Sequence, residues 1–338
     1  MGFFRYLLKK ETLTATPVLL ISFISLVLLG RFSQFTHFGF DDYTVQPTHR
    51  QSFDARSIAI EKVYGEQYKF PSRAIGFEGN LWSGWSTYLS VEGINAPDAL
   101  INPRYRELTQ ASSLSHQWDW RLYLEKAKLT ETKPFLDFLN VRYYLDLRSD
   151  QGALSKSLKL ALATDLDVYE STTVWPRAFF TDQVSTYTTA QDLIAKINKD
   201  FKSPFAAVDA LDLQGAPGLS ALLGHDPSKR VYAPAKSYVL TENSTTFHFI
   251  NPTAGVAILN EVYWPGYPHA TLDGYPAKVF RINHIFQGVL VGPGEHTISI
   301  SYRPKNFTLC LIVSLSGGLL LIGVTLGLIL FKDRNSQT

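Results

Sequence analysis

Two pairs of neighbouring carboxylates are the residues in this sequence whose spacing could do chemistry. Asp165 and Asp167 form a D-x-D string, and Asp41 and Asp42 are adjacent. Two close carboxylates can hold a divalent cation against a diphosphate, as in the D-x-D motif of a sugar-nucleotide transferase. Short D-x-D strings are frequent, and this one leads into a predicted strand, so Asp165 and Asp167 are secondary candidates for metal ligands. An enzyme that acts through either pair is one hypothesis for the function.

The other patterns that mark a catalytic centre are absent from the sequence. There is no G-x-S-x-G, H-E-x-x-H, P-loop or dinucleotide-binding pattern. The eight histidines lack the spacing of metal ligands, and the single cysteine, Cys310, lies in an apolar run. We therefore expect no catalytic centre, no cofactor and no resident metal in this chain.

Tryptophan side chains offer a different chemistry, which is the binding of sugars. An exposed indole stacks on the CH face of a sugar ring, while nearby carboxamides and carboxylates fix the hydroxyl groups. Trp82 and Trp85 share a loop with glycine, asparagine and serine, and they are the best exposed candidates. The alternative is that these large aromatic residues fill the core of a domain.

Two tryptophan–proline pairs each end a predicted strand. The first precedes Arg177, and the second opens the turn Trp264-Pro265-Gly266-Tyr267. An arginine at such a place could bind a phosphate through two parallel hydrogen bonds, or it could pair with a buried carboxylate and fix domain packing. The candidate glycan- or phosphate-binding residues are Trp82, Trp85, Arg142, Arg177, Trp264, Tyr267 and Arg281.

These residues need a scaffold, and residues 236–306 predict an antiparallel β-sandwich. Asp273-Gly274 separates two extended runs and predicts a type I′ hairpin turn, because that turn needs positive φ at both central residues. A Gly-Pro-Gly turn follows at 292–294. Beyond it, apolar and polar residues alternate from 297 to 302, as in a strand with one buried face.

Residues 33–213 predict an α/β domain that precedes the sandwich. Thr189 and Asp192 resemble a capping box at the start of a helix over 190–201. Residues 214–235 are rich in glycine and proline and are expected to be a linker between the two domains. Further helices are expected at 54–64, 103–114 and 122–129, and another helix is expected to have Pro134 in its first turn. Strands are expected at 71–77, 141–147, 177–184 and 205–211, and one more begins at 168–169.

Two apolar segments flank these domains and predict transmembrane helices. Residues 13–32 follow three basic residues, and residues 307–331 precede two. Each segment reaches the roughly 20 residues that a spanning helix needs, and basic flanks favour the cytoplasmic side. We therefore predict a two-span protein of the cell membrane, in contact with the lipid bilayer. Its tails, 1–12 and 332–338, would lie in the cytoplasm and its central region outside.

Several strings of residues occur together in a recognisable order. NEVYWPGY at 260–267 is followed by a DG turn, RIN, PGEH and YRP. Upstream of it are FLDFLNVRYYLD at 135–146, VYESTTVWPRAFF at 168–180 and GINAPDALINPRYREL at 93–108. Together the strings resemble the membrane-distal C-terminal region of YfhO-family bacterial membrane proteins. Members of that family are large polytopic proteins related to lipid-linked (GT-C type) glycosyltransferases.

The resemblance implies an α+β membrane-anchored protein that is the non-catalytic extracytoplasmic domain of a YfhO-like glycosyltransferase system. Such a domain would serve cell-surface polymer glycosylation by binding a glycan or lipid-linked sugar, or by docking on a multi-span glycosyltransferase partner. The family's catalytic carboxylate lies in a multi-span N-terminal part that this sequence lacks, so no catalytic role passes to Asp41 or Asp42.

A free-standing membrane-anchored protein that binds glycans or other proteins, without a transferase role, is the alternative interpretation. Both interpretations place the chain in the bacterial cell envelope. The net charge of +2, with no basic run, gives no indication of nucleic-acid binding.

Overall fold

The chain divides into two compact units, one of which is Thr48–Lys305 while the other contains the C-terminal helix. The predicted transmembrane helix at 13–32 lies outside the described residues. The computed structural model describes residues 57–78, 81, 91–94, 102–117, 121–148, 158–200, 203–224, 229–241, 243–304 and 306–335.

The unit Thr48–Lys305 is a mixed α+β structure, as the sequence predicts. Its helices are α1 (Ile58–Lys69), α2 (Pro103–Ala111), α3 (Leu129–Phe138), α4 (Ala190–Asp200), α5 (Ala210–Leu213) and α6 (Pro217–Ser220). Its strands are β1 (Arg73–Gly76), β2 (Ser115–Gln117), β3 (Arg121–Tyr123), β4 (Val141–Leu147), β5 (Leu158–Ala163), β6 (Leu166–Ser171), β7 (Ala178–Thr181), β8 (Val184–Tyr187), β9 (Ala206–Asp209), β10 (Tyr232–Pro234), β11 (Ser237–Leu240), β12 (Ser244–Asn251), β13 (Gly255–Leu259), β14 (Pro268–Leu272), β15 (Tyr275–Ala277), β16 (Val279–Ile282), β17 (Phe286–Val291) and β18 (Gly294–Tyr302).

A four-stranded sheet occupies the first part of the unit, in the order β1-β4-β6-β5. Strand β4 covers the predicted residues 141–147, and its parallel neighbour β1 lies within the predicted strand 71–77. Helix α1 packs near this sheet and begins at an N-cap, Ser57, whose hydroxyl accepts from the backbone N–H of Ile60. Its side chains Ile60 and Val63 are buried in a small apolar cluster with residues of β4 and β6.

The strand–helix–strand unit predicted near residue 190 is present as β8-α4-β9. The two strands are parallel, and α4 connects them. The capping box is confirmed by two reciprocal hydrogen bonds. The N–H of Asp192 donates to Thr189 Oγ1, and the N–H of Thr189 donates to the carboxylate of Asp192. Leu193 and Ile197, four residues apart, form the buried side of the helix.

The unit also contains two antiparallel five-stranded sheets. Their orders are β10-β7-β13-β17-β16 and β11-β12-β18-β14-β15, and both contribute side chains to one apolar cluster. The predicted turn at Asp273-Gly274 is confirmed, since both residues have positive φ and join β14 to β15. In β18, Ile298 and Ile300 are buried as predicted, but Tyr302 is 38% exposed.

The stretch predicted as one strand, 177–184, is two strands that enter different sheets. Strand β7 pairs with β13 and β10, whereas β8 pairs with β9. Residues 214–235 contribute helix α6 and strand β10. Strand β7 lies before this predicted linker and β13 lies after it, and the two strands pair in one sheet.

Two helix predictions in the first half are wrong. Residues 122–129 begin with strand β3, because Leu122 and Leu124 are both buried at the period of two that a strand requires. A single 3₁₀ turn, Lys126–Lys128, then leads into α3. Helix α3 begins at Leu129, so Pro134 lies inside the helix and not in its first turn.

The second compact unit contains helix α7 (Phe307–Asn335). Its first 21 residues, Phe307–Gly327, are long and apolar enough to cross a membrane, and none of these residues is buried inside the protein. Within the part of the chain that the structure describes, α7 alone meets that criterion.

Candidate functional site

The Trp264-Pro265-Gly266-Tyr267 turn is the local structure around which the candidate site forms. Gly266 has a φ of +78°, and the N–H of Tyr267 donates to the carbonyl of Trp264 at 3.1 Å. Proline and glycine at these positions are the residues that a type II turn prefers. The ring of Tyr267 stacks on that of Tyr302, with the centroids 5.3 Å apart.

A cleft of ≈ 460 Å³, here called the Trp264 cleft, opens beside this turn. Its aromatic lining consists of Trp264, which is half-buried, and Tyr302 at the end of β18. The connection between β11 and β12 lines another side. The polar side chains that line the cleft include Glu92, Arg177, Thr241, Asn243, Glu261 and Gln287.

Four charged side chains, Arg73, Arg177, Glu92 and Glu261, form a cluster at one side of the cleft, here called the charged cluster. Arg177 Nη2 contacts Glu92 Oε1 at 2.5 Å and also contacts Glu261 Oε1. Arg73 contacts the same two carboxylates, at 3.2 Å to Glu92 and 3.4 Å to Glu261. Each guanidinium therefore meets both carboxylates.

The charged cluster shifts the pKa values of three of its groups, Arg177, Glu92 and Arg73. Burial alone lowers the pKa of Arg177, but the carboxylates of Glu261 and Glu92 outweigh it and raise this pKa above its usual value. Burial tends to raise the pKa of Glu92, but Arg177 and Arg73 outweigh it and lower this pKa. Burial, together with the positive charge of Arg177, lowers the pKa of Arg73. An ionised Glu92 cannot serve as a general acid near neutral pH.

Asn260 fixes the position of both arginines although it has no charge. It is fully buried, and its backbone N–H donates to the carbonyl of Arg177 at 2.8 Å. Its Oδ1 and carbonyl accept from Arg73 at 2.7 and 2.8 Å, while its Nδ2 donates to the carbonyl of Phe138. One asparagine thus joins the end of β13 to α3 and β1.

Some buried polar atoms next to the cleft have no hydrogen-bond partner among the described residues. They are Nε and Nη1 of Arg177 and Oε1 of Gln287. Arg177 is 3% exposed, and Gln287 donates through Nε2 to the carbonyl of Val262. An unpaired buried donor or acceptor is costly, and because these atoms are enclosed by the protein, a ligand in the cleft does not reach them without movement of neighbouring side chains.

Arg142 and Arg281, two of the sequence candidates, lie away from the cleft. Arg142 contacts the carboxylate of Glu170 with its Nε and Nη2, at 2.7 and 2.6 Å. Arg281 makes a two-bond contact with Asp212 at 2.8 and 2.7 Å. Both arginines have the carboxylate pairing that the sequence left open as the structural alternative.

The remaining sequence candidates have other positions. Trp82 and Trp85, like Asp41 and Asp42, lie outside the described residues. Trp175 is fully buried among aromatic rings of the core, with Phe138, Phe179 and Phe205 each within 6 Å of its ring centroid. Of the seven binding candidates, Arg177 and Trp264 line the cleft, and Tyr267 stacks on a third lining residue.

The D-x-D carboxylates take part in local structure. Asp165 accepts from the N–H of Ala59 at 3.0 Å, at the start of α1, and from the hydroxyl of Thr164 at 2.8 Å. Asp167 is buried opposite Asp146 on the neighbouring strand. Among the residues that the structure describes, no group of three or more His, Cys, Asp or Glu side chains could hold a metal ion.

The sequence analysis did not single out Arg73, Glu92, Glu261, Gln287 or Tyr302. Glu261 and Tyr302 lie in the strings NEVYWPGY and YRP. Glu261 is three residues before Trp264 and Tyr302 directly precedes Arg303, and this proximity could have marked both as candidates. Arg73 and Glu92 gave none, because the residues that they contact lie up to 188 positions away in the chain.

The Trp264 cleft offers two aromatic side chains and two partly exposed carboxylates in one concave site. That combination suits the binding of a polyhydroxy ligand, whose CH face stacks and whose hydroxyl groups bond. Comparisons with protein-family models, curated proteins and solved structures found no match. The geometry of the cleft is therefore the basis for assigning a function.

Proposed function

We propose that this protein is a non-catalytic, membrane-anchored module that binds a glycan, or the sugar of a lipid-linked sugar, in the Trp264 cleft. The observation that carries the proposal is the placement of Trp264 and Tyr302 in one cleft with the partly exposed carboxylates of Glu92 and Glu261. Aromatic stacking and hydroxyl bonding then act on the same sugar ring. A catalytic role finds no support in the charged cluster, whose carboxylates are held by two guanidinium groups.

The resemblance to YfhO-family proteins supports placing this module in a glycosyltransferase system that decorates a cell-surface polymer. In this proposal, residues 13–32 and helix α7 both span the cell membrane, and the unit Thr48–Lys305 lies outside the cytoplasm. The two five-stranded sheets form a sandwich, which is supported by the apolar cluster that both of them share.

Replacement of Trp264 tests the binding site directly. The full chain, in lipid nanodiscs, is applied to an array of bacterial-type oligosaccharides, and the affinity for the best ligand is measured by titration. We expect Trp264→Ala to weaken that affinity at least about tenfold, because loss of the stacking face removes on the order of 1.4 kcal/mol or more.

Tyr275→Ala is the matched control, because Tyr275 is an exposed aromatic residue at the β14–β15 turn. Its affinity should equal that of the unchanged chain. Equal affinities for Trp264→Ala and the unchanged chain, with equal unfolding midpoints, would show that sugar binding occurs elsewhere. No binding by the unchanged chain to any oligosaccharide would reject the proposal.

Docking on a multi-span partner is a second candidate, favoured by the surface of α7. Gly323 and Gly327 form a G-x-x-x-G pair, and a Cβ at either would meet nothing within 4 Å. Such glycines let two membrane helices approach closely. We expect Gly323→Leu, but not Leu320→Ala, to reduce co-purification of a multi-span glycosyltransferase. If the unchanged chain retains no such partner, the free-standing binding protein is the better interpretation.

A further inference from the structure

From the Trp264 cleft we infer that the protein selects neutral sugars, recognised through hydroxyl groups, over sugars that carry carboxylate, sulfate or phosphate groups. This inference rests on the proposed glycan-binding function and names the class of sugar. From the sequence alone, a phosphate was a possible ligand of the arginines.

The charge of the cluster is the first observation. Two guanidinium groups, Arg73 and Arg177, face two carboxylates, Glu92 and Glu261, so the formal charges sum to zero. The carboxylate side chains are the more open members, with 40% of Glu92 and 30% of Glu261 exposed, against 12% of Arg73 and 3% of Arg177. An anionic ligand would thus meet exposed negative charge first, and like charges in contact disfavour binding.

The hydrogen-bonding type of the open carboxylates is the second observation. The exposed parts of Glu92 and Glu261 offer oxygens that accept hydrogen bonds. A sugar hydroxyl donates, so it can bond to either carboxylate. A carboxylate, sulfate or phosphate group of a ligand only accepts, so it cannot bond to these oxygens.

The contact pattern of Glu92 points the same way. Both arginines contact its Oε1, at 3.2 and 2.5 Å. Its backbone is held by Gln67, which donates to the carbonyl and accepts from the N–H. The side chain is thus fixed in position, and its open portion can accept a hydrogen bond from a ligand hydroxyl. The volume of the cleft, ≈ 460 Å³, lies within the range of small-ligand sites.

Matched pairs of oligosaccharides test the inference. Three trisaccharides, a glucan, a galactan and a mannan, are each compared with the uronic acid trimer of the same linkage, using the full chain in nanodiscs of zwitterionic lipid. We expect the neutral member of at least one pair to bind about tenfold or more tightly than its uronate. Tighter binding of the uronates would overturn the inference and leave the glycan-binding proposal standing. No binding of either class would overturn both.

Two variants separate selectivity from stability. Glu92→Gln changes the sum of charges in the cluster from zero to +1, and we expect the ratio of neutral to uronate affinity to fall about tenfold. That ratio is measured on one folded sample, so a change in unfolding midpoint does not alter it. Glu261→Gln makes the same change of charge at the second open carboxylate, and we expect the ratio to fall in the same direction. An unchanged ratio in both variants would contradict the inference.

Discussion

Arg73 is the single residue with the most connections around the cleft. It donates to the carbonyl of Leu139 at 2.9 Å and to both oxygens of Asn260, besides its two carboxylate contacts. Replacing it with methionine should lower the free energy of unfolding by about 3–5 kcal/mol, because the carbonyl of Leu139 and both oxygens of the buried Asn260 would lose their donor and the cluster would keep one excess negative charge. Urea denaturation of the full chain in detergent measures the change.

Arg142→Met is the matched control for Arg73. Arg142 has one carboxylate partner, Glu170, and 30% of its side chain is exposed. Its loss should therefore cost about 1 kcal/mol or less. Equal losses for the two variants would show that the interior bonds of Arg73 add nothing beyond a surface ion pair.

His284 gives the unit a pH-dependent stability. It is 1% exposed, and its ring contacts Tyr187 and Glu107 at 3.1 and 3.0 Å. Burial is the main cause that lowers the pKa of His284; Glu107 opposes the shift, and Arg104 and Arg281 add to it. Because the unfolded chain binds the proton more readily, stability is complete above about pH 6.5 and falls as the pH drops below it, toward the folded-state pKa.

The variant His284→Asn tests this effect, since asparagine tolerates the positive φ of +72° at this position. Unfolding midpoints are measured from about pH 7.5 to about pH 5.5, above and below the usual pKa of histidine. The decrease seen in the unchanged chain should become shallower in His284→Asn. His269→Asn, at an exposed histidine, should keep the original slope. Parallel curves for all three proteins would show that His284 does not cause the decrease in unfolding midpoint at low pH.

At the scale of elements, predictions that depend on local chemistry agree with the structure. The Asp273-Gly274 turn and the capping box of α4 each need only a few adjacent residues. Strand β3 was missed because Leu122 and Leu129, seven residues apart, also fit a helical pattern. The start of α3 was missed because helix formation there overrides an interior Pro134.

The candidate site was predictable in part, for the same reason. Trp264 and Tyr267 belong to a turn that Pro265 and Gly266 predict. Arg73, by contrast, reaches a residue 187 positions away, and no local pattern encodes such a contact. Only the sheet pairings bring these segments together, and pairing between distant strands cannot be read from one sequence.

A buried cluster joins helix α3 to strand β6. Lys133 Nζ donates to Asp137 at 2.6 Å, to Ser171 at 2.7 Å and to Thr173 at 2.8 Å. The ammonium group thus has a partner for each of its three protons. Lys133→Met should lower the free energy of unfolding by about 3–5 kcal/mol, because Asp137 is fully buried and would lose its cation.

The double variant Lys133→Met/Asp137→Leu provides the control for this prediction. Removal of both charges leaves no unpaired ion, so the double variant should be more stable than Lys133→Met alone. Chemical denaturation gives both values. Additive losses in the double variant would mean that the hydroxyl bonds to Ser171 and Thr173, and not the ion pair, hold α3 to β6.

At the scale of the whole molecule, the two-span prediction can be separated from anchoring by α7 alone. Deletion of 306–338 should leave the chain in the membrane fraction after a high-pH carbonate wash, because residues 13–32 would still span. Deletion of both 1–32 and 306–338 should release it. Release by the first deletion alone would mean that α7 is the only anchor.

Strand β18 is the last of the described strands along the chain, yet it lies in the middle of its sheet, between β12 and β14. The ribosome synthesises this strand after all of its neighbours. The sheet therefore cannot form its central strand pairs until residues 294–302 have been synthesised. Pairing of such distant segments places folding in the slow, millisecond-to-second regime of β-rich topologies. Nascent chains that stop before residue 294 leave unpaired strand edges, which invite aggregation and proteolysis. Incomplete translation products of this protein are therefore expected to be short-lived.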